Sequence, residues 1–230
     1  MKVINFHRLI SGWGLIGKGE QVMNVKRVGM IIVLVASLML GACVNLKQPR
    51  NKISFYTLEY AEPAFTEKRP LPFVLKLERF SVAPFYNTNQ IVYREKSFER
   101  EHYAYHRWRA NPADLATYFI GRDIRRSGLF NAVLSPGSVS RSSHLIEGSV
   151  DEFYEQDSST GWKATLGIGI TLIKQNEPDI SRRVILDKVY RETRECSQKT
   201  PRALAEAMSK AMKGASEKII KDIYDALSTS

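Results

Sequence analysis

Asn111-Pro112-Ala113-Asp114-Leu115-Ala116-Thr117-Tyr118-Phe119-Ile120-Gly121-Arg122-Asp123-Ile124-Arg125-Arg126-Ser127-Gly128 carries a helix signal at both ends. Asn111 is suited to the N-cap, where a short polar side chain accepts an orphan N–H. Proline fits the first helical position, because its missing N–H has no partner there anyway. Asp114, at the third position, faces the positive end of the helix dipole, and Arg125 and Arg126 face the negative end. Gly128 follows as the residue that ends the helix. Leu115, Phe119, Ile120 and Ile124 share one face, so the helix is expected to lie on a core.

On either side of this helix the pattern is that of strands. Upstream, Ile53–Leu58, Phe73–Phe80, Ile91–Arg94 and His102–Trp108 are rich in β-branched and aromatic residues. Downstream, strand signals resume at 129–134, 144–154, 162–173 and 184–192. In the third of these, Ala164, Leu166, Ile168, Ile170 and Leu172 alternate with Thr165, Gly167, Gly169 and Thr171, one greasy face against one small face. Thr200-Pro201 opens a last helix with Leu204, Met208, Met212, Ala215, Ile219, Ile223 and Leu227 at spacings of three and four. Strands, helix, strands, helix is the order of an α+β fold. The expectation is a single domain over residues 53–230, a mostly antiparallel sheet with both helices packed on one face.

The N-terminus has a different character. Lys26-Arg27 precede the apolar run 28–42, which ends in Leu40-Gly41-Ala42-Cys43. A charged start, a short apolar core and small residues make a signal peptide, and the run is shorter than the about 20 residues a membrane span needs. The ending resembles the lipobox of bacterial lipoproteins. It implies cleavage between Ala42 and Cys43, a diacylglycerol on the Cys43 thiol and an N-acyl chain on the freed amine. Several chains together give stable anchoring, at about 0.8 kcal/mol per buried CH₂. Residues 43–52 then form a lipidated tether. Residues 1–22 fit no part of a signal peptide. Met23-Asn24-Val25-Lys26-Arg27 makes a compact start of its own, so the signal peptide is read as 23–42 and 1–22 as a mis-assigned extension.

The chain has 34 Lys+Arg and 24 Asp+Glu; setting aside five basic residues and Glu20 ahead of Cys43 leaves 29 against 23, a net charge of +6. That mild basicity, without a basic stripe, argues against nucleic acid as a partner. With Cys43 lipidated, Cys196 has no partner for an intrachain disulfide. Gly167-Ile168-Gly169 lies inside a strand and reads as close packing or a bend, not a nucleotide loop. His102 and His106 sit among strand-forming aromatics with no further ligands, so no metal and no cofactor beyond the lipid is expected. No nucleophile stands in a catalytic context, and Glu147, Asp151 and Glu152 have no evident partner; the chain reads as a non-enzyme. The prominent feature is a block of aromatics interleaved with arginine: Tyr93, Arg94, Tyr103, Tyr105, Arg107 and Trp108. These residue types dominate protein-interface hot spots. They equally suit packing of the sheet against its helix.

This block, behind a lipobox and the Tyr56-Thr57-Leu58 strand, resembles the auxiliary lipoprotein component of ABC-type transport systems, the family of paraquat-inducible protein C. The matching residues are Val92-Tyr93-Arg94, Tyr103, Trp108 and Pro112, and the resemblance spans 53–227. Arg109-Ala110-Asn111 departs from it, since an acidic residue more usually precedes the proline. The resemblance implies an adaptor for a system with an ABC ATPase, a permease and a mammalian-cell-entry-type substrate-binding protein, moving lipids or hydrophobic compounds between membranes. By a similar analogy, Val44 after the lipidated cysteine implies sorting to the periplasmic side of the outer membrane. A homo-oligomeric collar would suit such a role. Two other readings stand beside it: a pilot or assembly factor of another envelope machine, and a periplasmic lipid-binding module whose pocket is lined by the small face of 162–173.

Overall fold

The structure, a computed structural model, describes residues 27–33, 51–66, 68–159 and 161–229. The chain divides into two units, Met1–Arg50 and Asn51–Ser230. In the first, residues 27–33 are helical and exposed. The expected cleavage site, Leu40-Gly41-Ala42-Cys43, lies outside the described residues, as do residues 1–22 and most of the signal peptide and tether. Among the described residues, no helix is long and apolar enough to cross a membrane.

The second unit is one α+β body. Its strands are β1 (Ser54–Tyr56), β2 (Leu71–Leu77), β3 (Ser81–Val82), β4 (Gln90–Arg94), β5 (Glu101–Trp108), β6 (Phe130–Leu134), β7 (His144–Ser158), β8 (Gly161–Lys174) and β9 (Val184–Glu195). Helix α1 (Pro112–Arg126) falls between β5 and β6, and helix α2 (Pro201–Ser228) closes the chain. The caps form as the sequence implies. Asn111 accepts from the Ala113 N–H at 3.0 Å, and Thr200 accepts from the Ala203 N–H at 3.2 Å. Gly128 takes φ +66°, the left-handed conformation that a side chain resists.

The sheet is mixed, and β7 is its spine. One edge of β7 carries β8 in a long antiparallel ladder, and β9 continues it. The other edge carries three short strands in succession, all parallel to it: β2 at 144–146, β3 at 149–150 and β4 at 155–156. Two flaps extend from there. β6 joins β2 in parallel at one end; β5 joins β4 antiparallel at the other, and β1 adds to β5 in parallel as the outermost strand. The long ladders are therefore antiparallel, as expected, while the flaps are attached by parallel pairs. The difference has a physical cause. Adjacent strands joined by tight turns pair antiparallel, whereas β2, β3 and β4 reach β7 only after α1 has reversed the chain.

Both helices cover one face and touch each other; α2 lies across β8 and β9, and α1 lies against β6, β7 and β3. The whole α2 stripe, Leu204 to Leu227, is buried, and so are Leu115, Phe119, Ile120 and Ile124 of α1. They meet Val150, Ile168, Ile170 and Leu172 of the sheet in one core. Each fully buried side chain of this size contributes roughly 1.5–3 kcal/mol of transfer free energy. On the opposite face, a Cβ on Gly169 would come 2.7 Å from the Ser149 hydroxyl oxygen. The ladder shifts register between Val150 and Glu152 at this level, so the glycines serve a close strand approach.

Candidate partner-binding surface

The aromatic–arginine block is built by β4 and β5 and divided by strand alternation between two faces. On the helix-covered face, Tyr93 is level with Glu155 of β7. Tyr103 meets Tyr93 edge-on at 5.1 Å and donates its hydroxyl to both carboxylate oxygens of Glu155, at 3.1 and 3.2 Å. His106 stands 5.8 Å from Tyr103, and its Nδ1 is 3.1 Å from the Tyr56 hydroxyl oxygen of β1. Glu155 is only 2 % exposed. Burial pushes its carboxyl above the ordinary carboxylate range, and the Tyr103 hydrogen bond pulls partly against that shift. The same burial, together with the Glu155 charge, raises the Tyr103 phenol.

On the opposite face, Arg94 and Arg100 place their guanidinium carbons 5.4 and 5.3 Å from the Tyr154 ring centre. Tyr86 stacks on the same tyrosine at 5.9 Å. These are cation–π and offset-stacking geometries that order the base of the β4–β5 hairpin.

The six residues singled out from the sequence thus have different fates. Trp108 is 1 % exposed and packs edge-on against Phe153 at 5.2 Å. It is a core residue, because β5 turns it under the sheet where the largest apolar surface is best removed from water. Tyr93, Arg94, Tyr103 and Arg107 are half-buried, and Tyr105 is exposed. Arg107 keeps its Nε buried with no protein hydrogen-bond partner. The surface that remains is Tyr105 with the adjacent edge strand, where Phe55 is exposed and lies 5.2 Å under the Arg109 guanidinium.

Next to this edge is a cleft of about 440 Å³, lined by Phe55, Tyr56, Thr57 and Glu59 of the β1 segment and by Arg202, Ala205, Glu206 and Ser209 of α2. The Glu59 N–H donates to the Ser209 hydroxyl there. An outer strand beside an amphipathic helix, with aromatic and both charged types on its walls, suits a peptide segment. The small face of β8 instead contributes to a shallow hollow of about 280 Å³ whose rim holds Glu147, Asp151 and Asp187. Those carboxylates do not suit an acyl chain. Among the described residues, no group of His, Cys, Asp and Glu could hold a metal ion.

Two features escaped the sequence reading. Glu155 could not be found, because nothing in Phe153-Tyr154-Glu155-Gln156 marks which residue faces inward. Asp123 is fully buried between the Tyr60 hydroxyl at 2.8 Å and Arg122 at 2.8 Å; its i,i+1 arginine was visible, but not the tyrosine.

The family model of the ABC-type transport auxiliary lipoprotein component matches residues 56–220. The chain belongs to that family. Its fold resembles that of protein XCC0632 from Xanthomonas campestris, of the DUF330 family: TM-score 0.69, 17 % identity, 76 % of this chain and 97 % of that one. A second crystal structure, of an uncharacterized protein, superposes with TM-score 0.58 at 11 % identity, over 75 % of this chain and 99 % of that one. At these identities the likeness concerns the fold. No curated protein sequence matches the chain. Membership of an auxiliary lipoprotein family associates the chain with an ABC-type transport system of the cell envelope.

Proposed function

We propose that this auxiliary lipoprotein is anchored through lipid on Cys43 to the periplasmic side of the outer membrane. There it docks a mammalian-cell-entry-type protein and its ABC permease–ATPase complex during intermembrane transport of lipids or other hydrophobic compounds. The observation that carries the reading is the family match over nearly the whole second unit. The lipobox sequence Leu40-Gly41-Ala42-Cys43 supports the anchor, and Val44 supports the membrane. The exposed edge of β1, with Phe55 and Tyr105, supplies a surface for a partner segment. The protein's work in this reading is positioning: lipid fixes it to one membrane, and a rigid sheet edge holds the partner that reaches from the other.

The test is photo-crosslinking in cells from positions 105 and 107, followed by mass spectrometry of the captured proteins. Capture of a mammalian-cell-entry protein or its permease is the expected result. Capture of secretion or assembly components with no transporter subunit would overturn it in favour of an assembly pilot. Replacing Cys43 by Ala is expected to abolish lipid incorporation and leave the precursor uncleaved, read as a heavier, unlipidated protein.

A further inference from the structure

The β4–β5 hairpin ends in Glu95-Lys96-Ser97-Phe98-Glu99-Arg100. At its tip Phe98 is 103 % exposed, as open to water as in a free peptide. Its backbone is also held at φ +67°, the one non-glycine among the described residues in that region. Bulky residues avoid this conformation, and glycine or asparagine would take it without strain. A large apolar ring in full solvent on a strained backbone is a local conflict on two counts. Such conflicts persist where an external contact uses them.

The surroundings narrow the choice of contact. Arg94 and Arg100 both turn back onto Tyr154, and Arg100 also donates to the Glu99 carbonyl. The fully exposed ring is left projecting into water, without the covering contact residues that surround a protein hot spot. Arg94, Lys96 and Arg100 balance Glu95, Glu99 and Glu101, so the hairpin carries no net charge to seek an oppositely charged partner.

Sheet topology supplies the occupant. β1 runs parallel to β5, which leaves the hairpin, so Asn51–Ile53 lead away from β1 toward the hairpin end of the sheet. β7 runs parallel to β4, so the loop before β7 lies at the opposite end. Cys43 is eight residues upstream of Asn51, a distance of at most roughly 28 Å even when fully extended. The described chain therefore departs from the end of the sheet that bears Phe98, and a membrane holding Cys43 lies within that reach of Asn51. Ile53 and Tyr105, each one residue before the paired Ser54 and His106, are both exposed beside the departing chain. Tyrosine is at home in the interfacial region of a bilayer.

From these observations we infer that the β4–β5 hairpin is a membrane-contact wedge: Phe98 inserts into the interface of the bilayer that holds the lipid anchor. The inference rests on the lipid-anchored reading above. The second contact fixes the domain's orientation over the membrane, which a single point of attachment leaves free, and presents the β1 edge at a set height.

The structure contains a matched control. Val139, in the 135–143 loop at the far end of the sheet, is 102 % exposed. The mature lipoprotein is reconstituted into phosphatidylethanolamine–phosphatidylglycerol vesicles in a Cys196→Ala background. Phe98→Cys or Val139→Cys then carries an environment-sensitive nitrobenzoxadiazole label. The label at 98 is expected to brighten several-fold with a blue shift, to be quenched by lipids spin-labelled in the acyl region, and to respond alike at low and high salt, because no net charge drives the contact. The label at 139 is expected to remain water-like. A water-like label at 98 on protein that floats with the vesicles overturns the wedge and leaves the lipid anchor standing. Protein that fails to float overturns both. Equal responses at 98 and 139 overturn the wedge as non-specific adsorption, and a response at 98 that appears only when envelope proteins are added makes Phe98 a protein-docking knob instead.

Discussion

The sheet beneath α2 and the sheet end formed by β1, β4 and β5 are continuous through β7, yet they are built on different terms. Beneath α2, Ile168, Ile170 and Leu172 meet Met208, Met212 and Ile219, an apolar interface with no exposed member. Around the β4–β5 hairpin the same sheet is held by tyrosine pairs, two arginines on Tyr154, a buried carboxyl and a phenylalanine on strained backbone. The first region obtains its free energy from area removed from water, where an unpartnered polar group is costly. The second relies on directional contacts with smaller net stabilisation, and it leaves aromatic surface outside. The two kinds of stabilisation are thus separated along one spine, β7.

Trp108 is where the contrast is easiest to break. It belongs to the aromatic block by sequence and to the core by position. Trp108→Ala is therefore expected to cost about 3–5 kcal/mol in urea unfolding. A variant as stable as the parent would return Trp108 to the surface and dissolve the distinction. Tyr103→Phe removes the donor from a buried carboxylate and is expected to cost about 1–3 kcal/mol in the same measurement. If it costs nothing, the hairpin end is not organised by Glu155.

The pH dependence sharpens the same point. Because the folded state raises the Glu155 pKa, the native protein binds this proton more tightly than the unfolded chain does. Stability from this group is then complete below the ordinary carboxylate value of about 4.3 and falls as pH rises through the folded value. Glu155→Gln cannot ionise and is expected to melt higher than the parent at pH 7–8, with the gap closing near pH 4. Thermal scans across that range check it; a pH-independent gap would contradict the buried-charge account. The smallest effect is expected at the hairpin tip. Phe98→Gly relieves the left-handed strain, partly offset by a more flexible unfolded chain, for a net gain within about 1 kcal/mol. A loss of stability would mean that the ring makes a contact within the fold.

Much of the architecture was legible because periodicity reports burial directly. The α2 stripe, the alternation of β8 and the Asn111-Pro112 start are local signals, and the structure places each of them as read. Strand pairing was less legible. β4 and β5 are neighbours in sequence and pair antiparallel, but β1 with β5 and β2 with β6 pair across long separations, and no local pattern encodes a partner. Within the candidate surface, residue types marked a segment without saying which side chains face water. The register of β4 and β5 slips between Gln90 and Val92, which breaks simple alternation there.

By itself the sequence determined the elements and the α+β class, because caps, breakers and hydrophobic period act within a few residues. It also carries Leu40-Gly41-Ala42-Cys43, whose resemblance to a lipobox rests on linear order alone. Only the tertiary structure decided that Trp108 is core while Tyr105 is surface, that Glu155 is buried beneath Tyr103, and that Phe98 stands on the end of the sheet from which the chain leads toward Cys43. Each of those outcomes depends on parallel pairing along β7 between residues far apart in the chain, and burial and charge balance arise only once those strands meet.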